Sequence, residues 1–165
     1  MKLATSEDIT TMDRVKIQAQ VLLPLARALR EEIGEARTRE VMRAAIEEAS
    51  RENVRDQAEQ LAGSPLEKFQ VMMNHSAVDN GPQLELDVQE MKPERVRFDV
   101  KRCRYAELFQ SLGEPEIGAM LLCDGDAYVA EVGGPAVEFS RSQTLMQGAS
   151  HCDFCYRINP SAAQT

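Results

Sequence analysis

At Asp79-Asn80-Gly81-Pro82 the apolar residues of this chain change their period, and that change constrains the fold more than any other feature. Before it they recur at three- and four-residue steps, which put side chains on one side of a helix. After it they alternate, as in a strand with one covered face. Helical stripes followed by alternating segments within 165 residues predict an α+β fold: N-terminal helices packed on an antiparallel sheet interrupted by two short helices. The expected organisation is a single domain over residues 1–158, with a helical part at 1–78, a sheet and site part at 83–158, and a frayed tail at 159–165.

Met12, Val15, Ala19, Leu22, Leu23, Ala26, Leu29 and Ile33 form the first helical stripe. Pro24 lies inside it and removes a backbone donor, which predicts a kink or a break into two helices, and Gly34 follows as a C-terminal stop. A second stripe runs Val41, Met42, Ala45, Ile46, Ala49, Val54, Ala58 and Leu61 to Gly63, and the two are expected to pair as an antiparallel hairpin. Ser64-Pro65-Leu66-Glu67 opens a third helix, with the serine as N-cap, proline in the first helical position and glutamate completing a capping box.

Leu84, Leu86 and Val88 alternate with Glu85, Asp87 and Gln89, and Val96, Phe98 and Val100 alternate with Arg95, Arg97, Asp99 and Lys101. Acid on one polar face and base on the other favours pairing the two as a hairpin around Lys92-Pro93. The charge run is thereby a solvated sheet face rather than a binding patch. Cys103 ends the second strand. A short helix follows over Arg104 to Leu112, another opens at Pro115 and ends near Cys123, and two further strands are expected from Ala136 to Leu145 and from Cys152 to Ile158.

A net charge of −8 repels a phosphate backbone, and the one basic cluster, Arg95 to Arg104, is interrupted by Asp99, so nucleic acid is not expected as a partner. Without an apolar run of membrane length or a leader pattern at the start, the expectation is a cytoplasmic protein. There, four cysteines are thiols, ligands or nucleophiles rather than a disulfide framework. The helix stripes leave homo-oligomer formation open.

Two features carry chemistry. In His151-Cys152-Asp153-Phe154-Cys155 a strand would send Cys152, Phe154, Tyr156 and Ile158 to one face and Asp153, Cys155 and Arg157 to the other. Cysteines three apart then point to opposite faces, which fits neither a zinc knuckle nor a redox pair opening a helix. In the preceding strand Arg141 shares the inward face of Val137 and Phe139. A guanidinium loses several kcal/mol of hydration on burial and needs an anion. That anion is either an internal carboxylate, Glu107, Asp126 or Asp153, or the carboxylate of a substrate. Of the two histidines, His75 reads as a surface or capping residue and His151 as a solvated loop residue with the alternative of a base.

FDVKRCRYAELFQSLGEPEIG, then LLCDGD, then VEFSRSQTLMQGASHCDFCY, over about the last 70 residues, resembles the family of L-2-amino-thiazoline-4-carboxylate hydrolases. The matching positions are Cys103, Glu107, Cys123, Asp126, Arg141, Thr144, Gly148, Cys152, Asp153 and Phe154; Cys155 falls at a variable place. The resemblance implies a hydrolase opening a small ring that holds nitrogen and sulfur, a cyclic amidine, to N-carbamoyl-cysteine, a step of cysteine metabolism. It implies a small-molecule substrate with a carboxylate anchored by Arg141, with Thr144 and Glu107 beside it. Cys103 or Cys152 would attack, and Asp153 or Asp126 would activate water or hold the amidinium. Alternatively Cys103, Cys123 and Cys152 would bind one zinc ion that activates the water, so the cofactor is none or zinc. A third reading is a non-catalytic small-molecule-binding or sensor domain resembling the four-vinyl-reductase type, with Arg141 as ligand clamp.

Overall fold

The computed structural model describes residues 9–159 and 161–162; residues 1–8, read above for a leader, and Pro160 and 163–165 of the expected tail lie outside the described residues. The chain divides into two compact units, Met1–Ala45 and Ile46–Thr165. In the first, helix α1 (Thr11–Ile33) starts at a capping box made by Thr10 and Asp13 and buries Val15, Ala19, Leu23 and Ala26. It runs unbroken through Pro24, so of the expected kink or break the break into two helices does not occur. Helix α2 (Glu35–Glu59) follows after Gly34 alone. The two helices do not pack side by side as a hairpin, because a reversal takes a linker of about two to five residues. Gly34, at φ 78°, ends one helix with its N–H on the Arg30 carbonyl, and its own carbonyl receives the Thr38 N–H of the next.

The second unit is α+β, with helices preceding a four-stranded antiparallel sheet. Helix α3 (Pro65–Asn80) has the Ser64/Glu67 capping box that its sequence announces. Strands β1 (Leu84–Lys92) and β2 (Arg95–Cys103) pair as the expected hairpin, and β3 (Val137–Ser140) and β4 (Cys152–Ile158) complete the order β1-β2-β4-β3. Between β2 and β3 run α4 (Arg104–Ser111), α5 (Pro115–Gly118), a π-helical turn at Ala119–Cys123 and α6 (Gly125–Val132). The sequence reading missed α6, and it carried β3 too far: the strand ends at Ser140, so Arg141 to Thr144 are not strand residues.

Cross-strand register sets the faces of the sheet. Val96 is opposite Tyr156, Phe98 opposite Phe154, Val100 opposite Cys152, and Phe139 opposite Tyr156. Residues directly opposite share a face, so these side chains form one apolar surface. Phe98 stacks on Phe154 at 4.8 Å and Phe139 on Tyr156 at 5.0 Å. Phe69 of α3 and Ala130 of α6 close over Tyr156, and α2 reaches the same unit through Arg51, which pairs with Glu131 and lies 4.1 Å over the Tyr128 ring. The other face is polar: Asp87 and Asp99, opposite each other, are bridged by Lys101, 2.7 Å from Asp99 and 3.8 Å from Asp87.

Candidate functional site

Cys103 reaches the apolar face through an irregularity. Strict alternation from Phe98 and Val100 would turn it to the polar side. The register instead shifts between Glu85 and Leu86, pairing Glu85 with Arg102 and Leu86 with Val100 and leaving Lys101 as an extra residue. Lys101 and Arg102 then both serve the polar face, the latter on Glu85 at 3.4 Å, and Cys103, opposite Leu84, returns to the side of Val100 and Cys152. The chain enters α4 at once, so the thiol stands over the first-turn N–H groups of Tyr105 and Ala106.

Cys123 and Asp126 arrive through the π-helical turn. Widening it by one residue joins the Asp124 N–H to the Ala119 carbonyl at 3.0 Å, and the Ala127 N–H goes to Asp124. The Cys123 carbonyl faces outward instead and receives an Arg141 N–H at 3.1 Å. A second Arg141 N–H donates to the Asp126 carboxylate from the first turn of α6. The guanidinium also lies 5.1 Å over the Phe154 ring and 5.7 Å over Phe139. Of the partners open to Arg141 by sequence, Asp126 is the one it meets. Its side chain keeps 11 % of its exposure, and Asp126 keeps 35 %, so the pair is recessed yet open to solvent.

The segment 141–151 that carries Arg141 is pinned at its base and docked at its tip. Asp153 accepts the Ser142 and Gln143 N–H groups, each at 2.9 Å, and the Ser142 hydroxyl at 2.6 Å. Thr144, buried, caps a 3₁₀ turn at Leu145–Gln147 through the Gln147 N–H, and Gly148, at φ 89°, closes it in the left-handed conformation that favours glycine. Gln110 of α4 donates to the Leu145 carbonyl at 2.8 Å, and the Leu145 N–H donates to the Cys152 sulfur at 3.2 Å. One segment therefore positions a cation and a thiol-directed donor together.

Cys103, Cys123, Cys152, Asp126 and Arg141 thus come within electrostatic range of one another. Burial raises all three thiols: Cys103 against the pull of the α4 N–H groups, Cys123 to about 12, and Cys152 against the Leu145 N–H and Arg141. Burial also raises the Asp126 carboxyl, to about 6, although Arg141 opposes it. The free protein accordingly holds protonated thiols beside a carboxylate that titrates near neutrality.

The other residues singled out by sequence are engaged elsewhere. Glu107 makes a bidentate pair with Arg102 at 2.6 and 3.3 Å on the exposed side of α4, and Asp153 anchors the 141–151 segment. His151 is half-buried between Ser150, Gln143 and Asp99, 3.7 Å from the last, and His75 is exposed on α3. Cys155, opposite Ser140 and Arg97, faces away from Cys152. Among the described residues no group of three His, Cys, Asp or Glu side chains is arranged to hold a metal ion. No helix among those residues is long and apolar enough to cross a membrane. Sequence reasoning overlooked the Leu145 N–H and the Cys123 carbonyl, backbone groups that no residue type announces.

The family model described as L-2-amino-thiazoline-4-carboxylic acid hydrolase matches residues 14–156, and the chain belongs to that family. No curated protein matches. Among solved structures, the crystal structure of the phenol-responsive sensory domain of the transcription activator PoxR with phenol is similar at a TM-score of 0.42 and 12% identity, covering 83% of this chain and 72% of that one.

Proposed function

We propose that this chain, as a member of that family, hydrolyses a cyclic amidine bearing a carboxylate, such as L-2-amino-thiazoline-4-carboxylate, to N-carbamoyl-cysteine. The observation that carries the reading is Arg141: a recessed guanidinium, over two aromatic rings, beside the thiols and Asp126. Arg141 anchors the ring carboxylate by charge-assisted hydrogen bonds. The carbon between ring nitrogen and sulfur then lies within the group formed by Cys103, Cys152 and Asp126. Water adds to that carbon of the protonated amidine and gives one proton to Asp126. The carbon–sulfur bond breaks, the sulfur leaves with the proton that Asp126 held, and the water oxygen becomes the carbonyl of the carbamoyl group as its second proton passes to solvent. Cys103 or Cys152 supplies the alternative nucleophile, releasing the same product after water cleaves the enzyme-bound thio-intermediate. The remaining proposals are a single domain over 1–158 and roles for Thr144 as support of the anchor segment and for Asp153 as its base.

The raised thiols favour a second reading. A site whose cysteines stay protonated and whose arginine is already paired suits reversible binding of a small carboxylate without turnover. One experiment separates the two. Purified protein is incubated with L-2-amino-thiazoline-4-carboxylate, and new thiol and N-carbamoyl-cysteine are followed by reagent and mass, with Arg141→Ala as control. Release by wild type and a loss of about a hundredfold or more in the variant is expected. Binding without any product assigns the site to the second reading, and release unaffected by Arg141→Ala removes the anchor.

A further inference from the structure

We infer that Asp126 is the specificity-determining residue of this site and selects ring acids carrying a cationic amidine over neutral rings of the same shape. The inference rests on the proposed carboxylate anchor at Arg141 and names what stands beside it. Arg141 and Asp126 meet at contact distance and both reach solvent, so the site presents a positive and a negative group side by side. A ligand with a carboxylate at one ring position and a protonated amidine nearby offers the reverse pattern. It can lie across the pair, carboxylate on guanidinium and amidinium on carboxylate.

The hydrogen bonding of Asp126 leaves room for this. Among the described residues its side-chain hydrogen-bond partner is Arg141, reached through Oδ2, and Oδ1 is the oxygen assigned to the ligand. Asp153, the other carboxylate weighed for the role, has both oxygens committed to Ser142 and Gln143, and Glu107 is held bidentate by Arg102. The Phe154 and Phe139 rings and the Cys123 backbone flank the guanidinium, an environment with few other charges in which one carboxylate decides between a cation and a neutral ring. A neutral lactam there keeps its ring N–H but carries no charge and puts a carbonyl oxygen where the amidine has its second donor, an acceptor opposite an acceptor.

The test uses binding, so that it does not depend on turnover. The probes are 5-oxoproline, a neutral five-membered ring acid, and its cyclic amidine counterpart, 2-amino-1-pyrroline-5-carboxylate, which has no carbon–sulfur bond to break. Calorimetry on wild type is expected to show the amidine binding about tenfold or more tighter, as a charge-assisted hydrogen bond gives. Asp126→Asn should bring the two affinities within about threefold of each other, and Asp126→Ser serves as a second neutral variant should the first not fold. Equal affinities in wild type, or a preference that survives in the neutral variants, overturn the inference and leave the Arg141 anchor standing. Binding of neither probe by wild type overturns the anchor and the inference together.

Discussion

Gly118→Ala is the substitution whose consequence the packing fixes most closely. Gly118 has ordinary helical angles, φ −59° and ψ −39°, so no backbone demand requires glycine. An added Cβ would stand 2.5 Å from Phe109 Cγ, 2.8 Å from Phe109 Cβ and 2.7 Å from Met146 Sδ, where carbon contacts settle at about 3.5–4.0 Å. Phe109 is fully buried and is struck next to its backbone, so a rotamer change cannot clear it. Overpacking of this kind costs about 3 kcal/mol, and the helix preference of alanine over glycine returns about 1. The net loss of about 2 kcal/mol corresponds to a fall of about 4–8 °C in Tm for a chain of this size. Gly125→Ala, with nothing within 4 Å of its added Cβ, is the control and should be neutral or slightly stabilising. Met146 belongs to the turn whose Leu145 N–H reaches Cys152, so Gly118→Ala should also speed modification of that thiol. Thermal and urea unfolding of the pair decide the matter; Gly118→Ala as stable as Gly125→Ala would show that the core yields and that the close approach is not what positions the turn.

Two further outcomes follow from the electrostatics. Burial alone would raise the Asp153 carboxyl, but the Ser142 hydroxyl and the Ser142 and Gln143 N–H groups hold it below its ordinary value. A depressed folded pKa contributes stability that is present above the unfolded value and lost as pH falls through the folded one. Asp153→Ala is therefore expected to cost about 2 kcal/mol at pH 7, and urea titrations should show the gap to wild type closing below about pH 4; a gap independent of pH would refute the ionic anchor. Cys103, Cys123 and Cys152, all raised by burial, should react with iodoacetamide at pH 7.5 at least about tenfold slower than free cysteine, and mass mapping that finds any of them faster would reveal an activated thiolate.

The fold was legible wherever one element imposes one period. The switch at Asp79 to Pro82 separates α3 from β1, and Ser64 and Glu67 announce the start of α3, because capping and alternation depend on residues a few positions apart. The misread stretches depend on more distant or subtler terms. Gly34 reads as a helix stop and is one, but nothing local says that α2 resumes on the next residue without a reversal. Helix α6 lies in the short stretch Gly125–Val132, where two alanines and two valines leave little contrast between faces. At the site, alternation with Val137 and Phe139 predicted an inward Arg141, but the strand ends at Ser140 and the residue is held instead by Asp126 and the Cys123 carbonyl. The choice of Asp126 over Glu107 or Asp153 was not legible, because it rests on a π-helical turn that ends eighteen residues earlier. The bulge at Lys101 is the sharpest case: one extra residue, unmarked in composition, carries Cys103 across the sheet.

These placements bear on how a ring could be opened. A thiol that attacks must first lose its proton, and the acceptor in range is Asp126. Burial lifts Cys103 and Cys152 above their ordinary range while the carboxyl lies at about 6, so proton transfer from either thiol to Asp126 runs uphill. Burial disfavours the thiolate and the N–H donors at Cys103 and Cys152 only partly offset it. A carboxylate titrating near neutrality is better matched to taking a proton as the bond to water forms, when no full charge need develop on a buried sulfur, and to returning it as the carbon–sulfur bond breaks. On that account the cysteines would line the site around the reacting carbon rather than attack it. The arginine and aspartate, drawn together by the end of β3 at Ser140 and a widened helical turn, would carry the polar work.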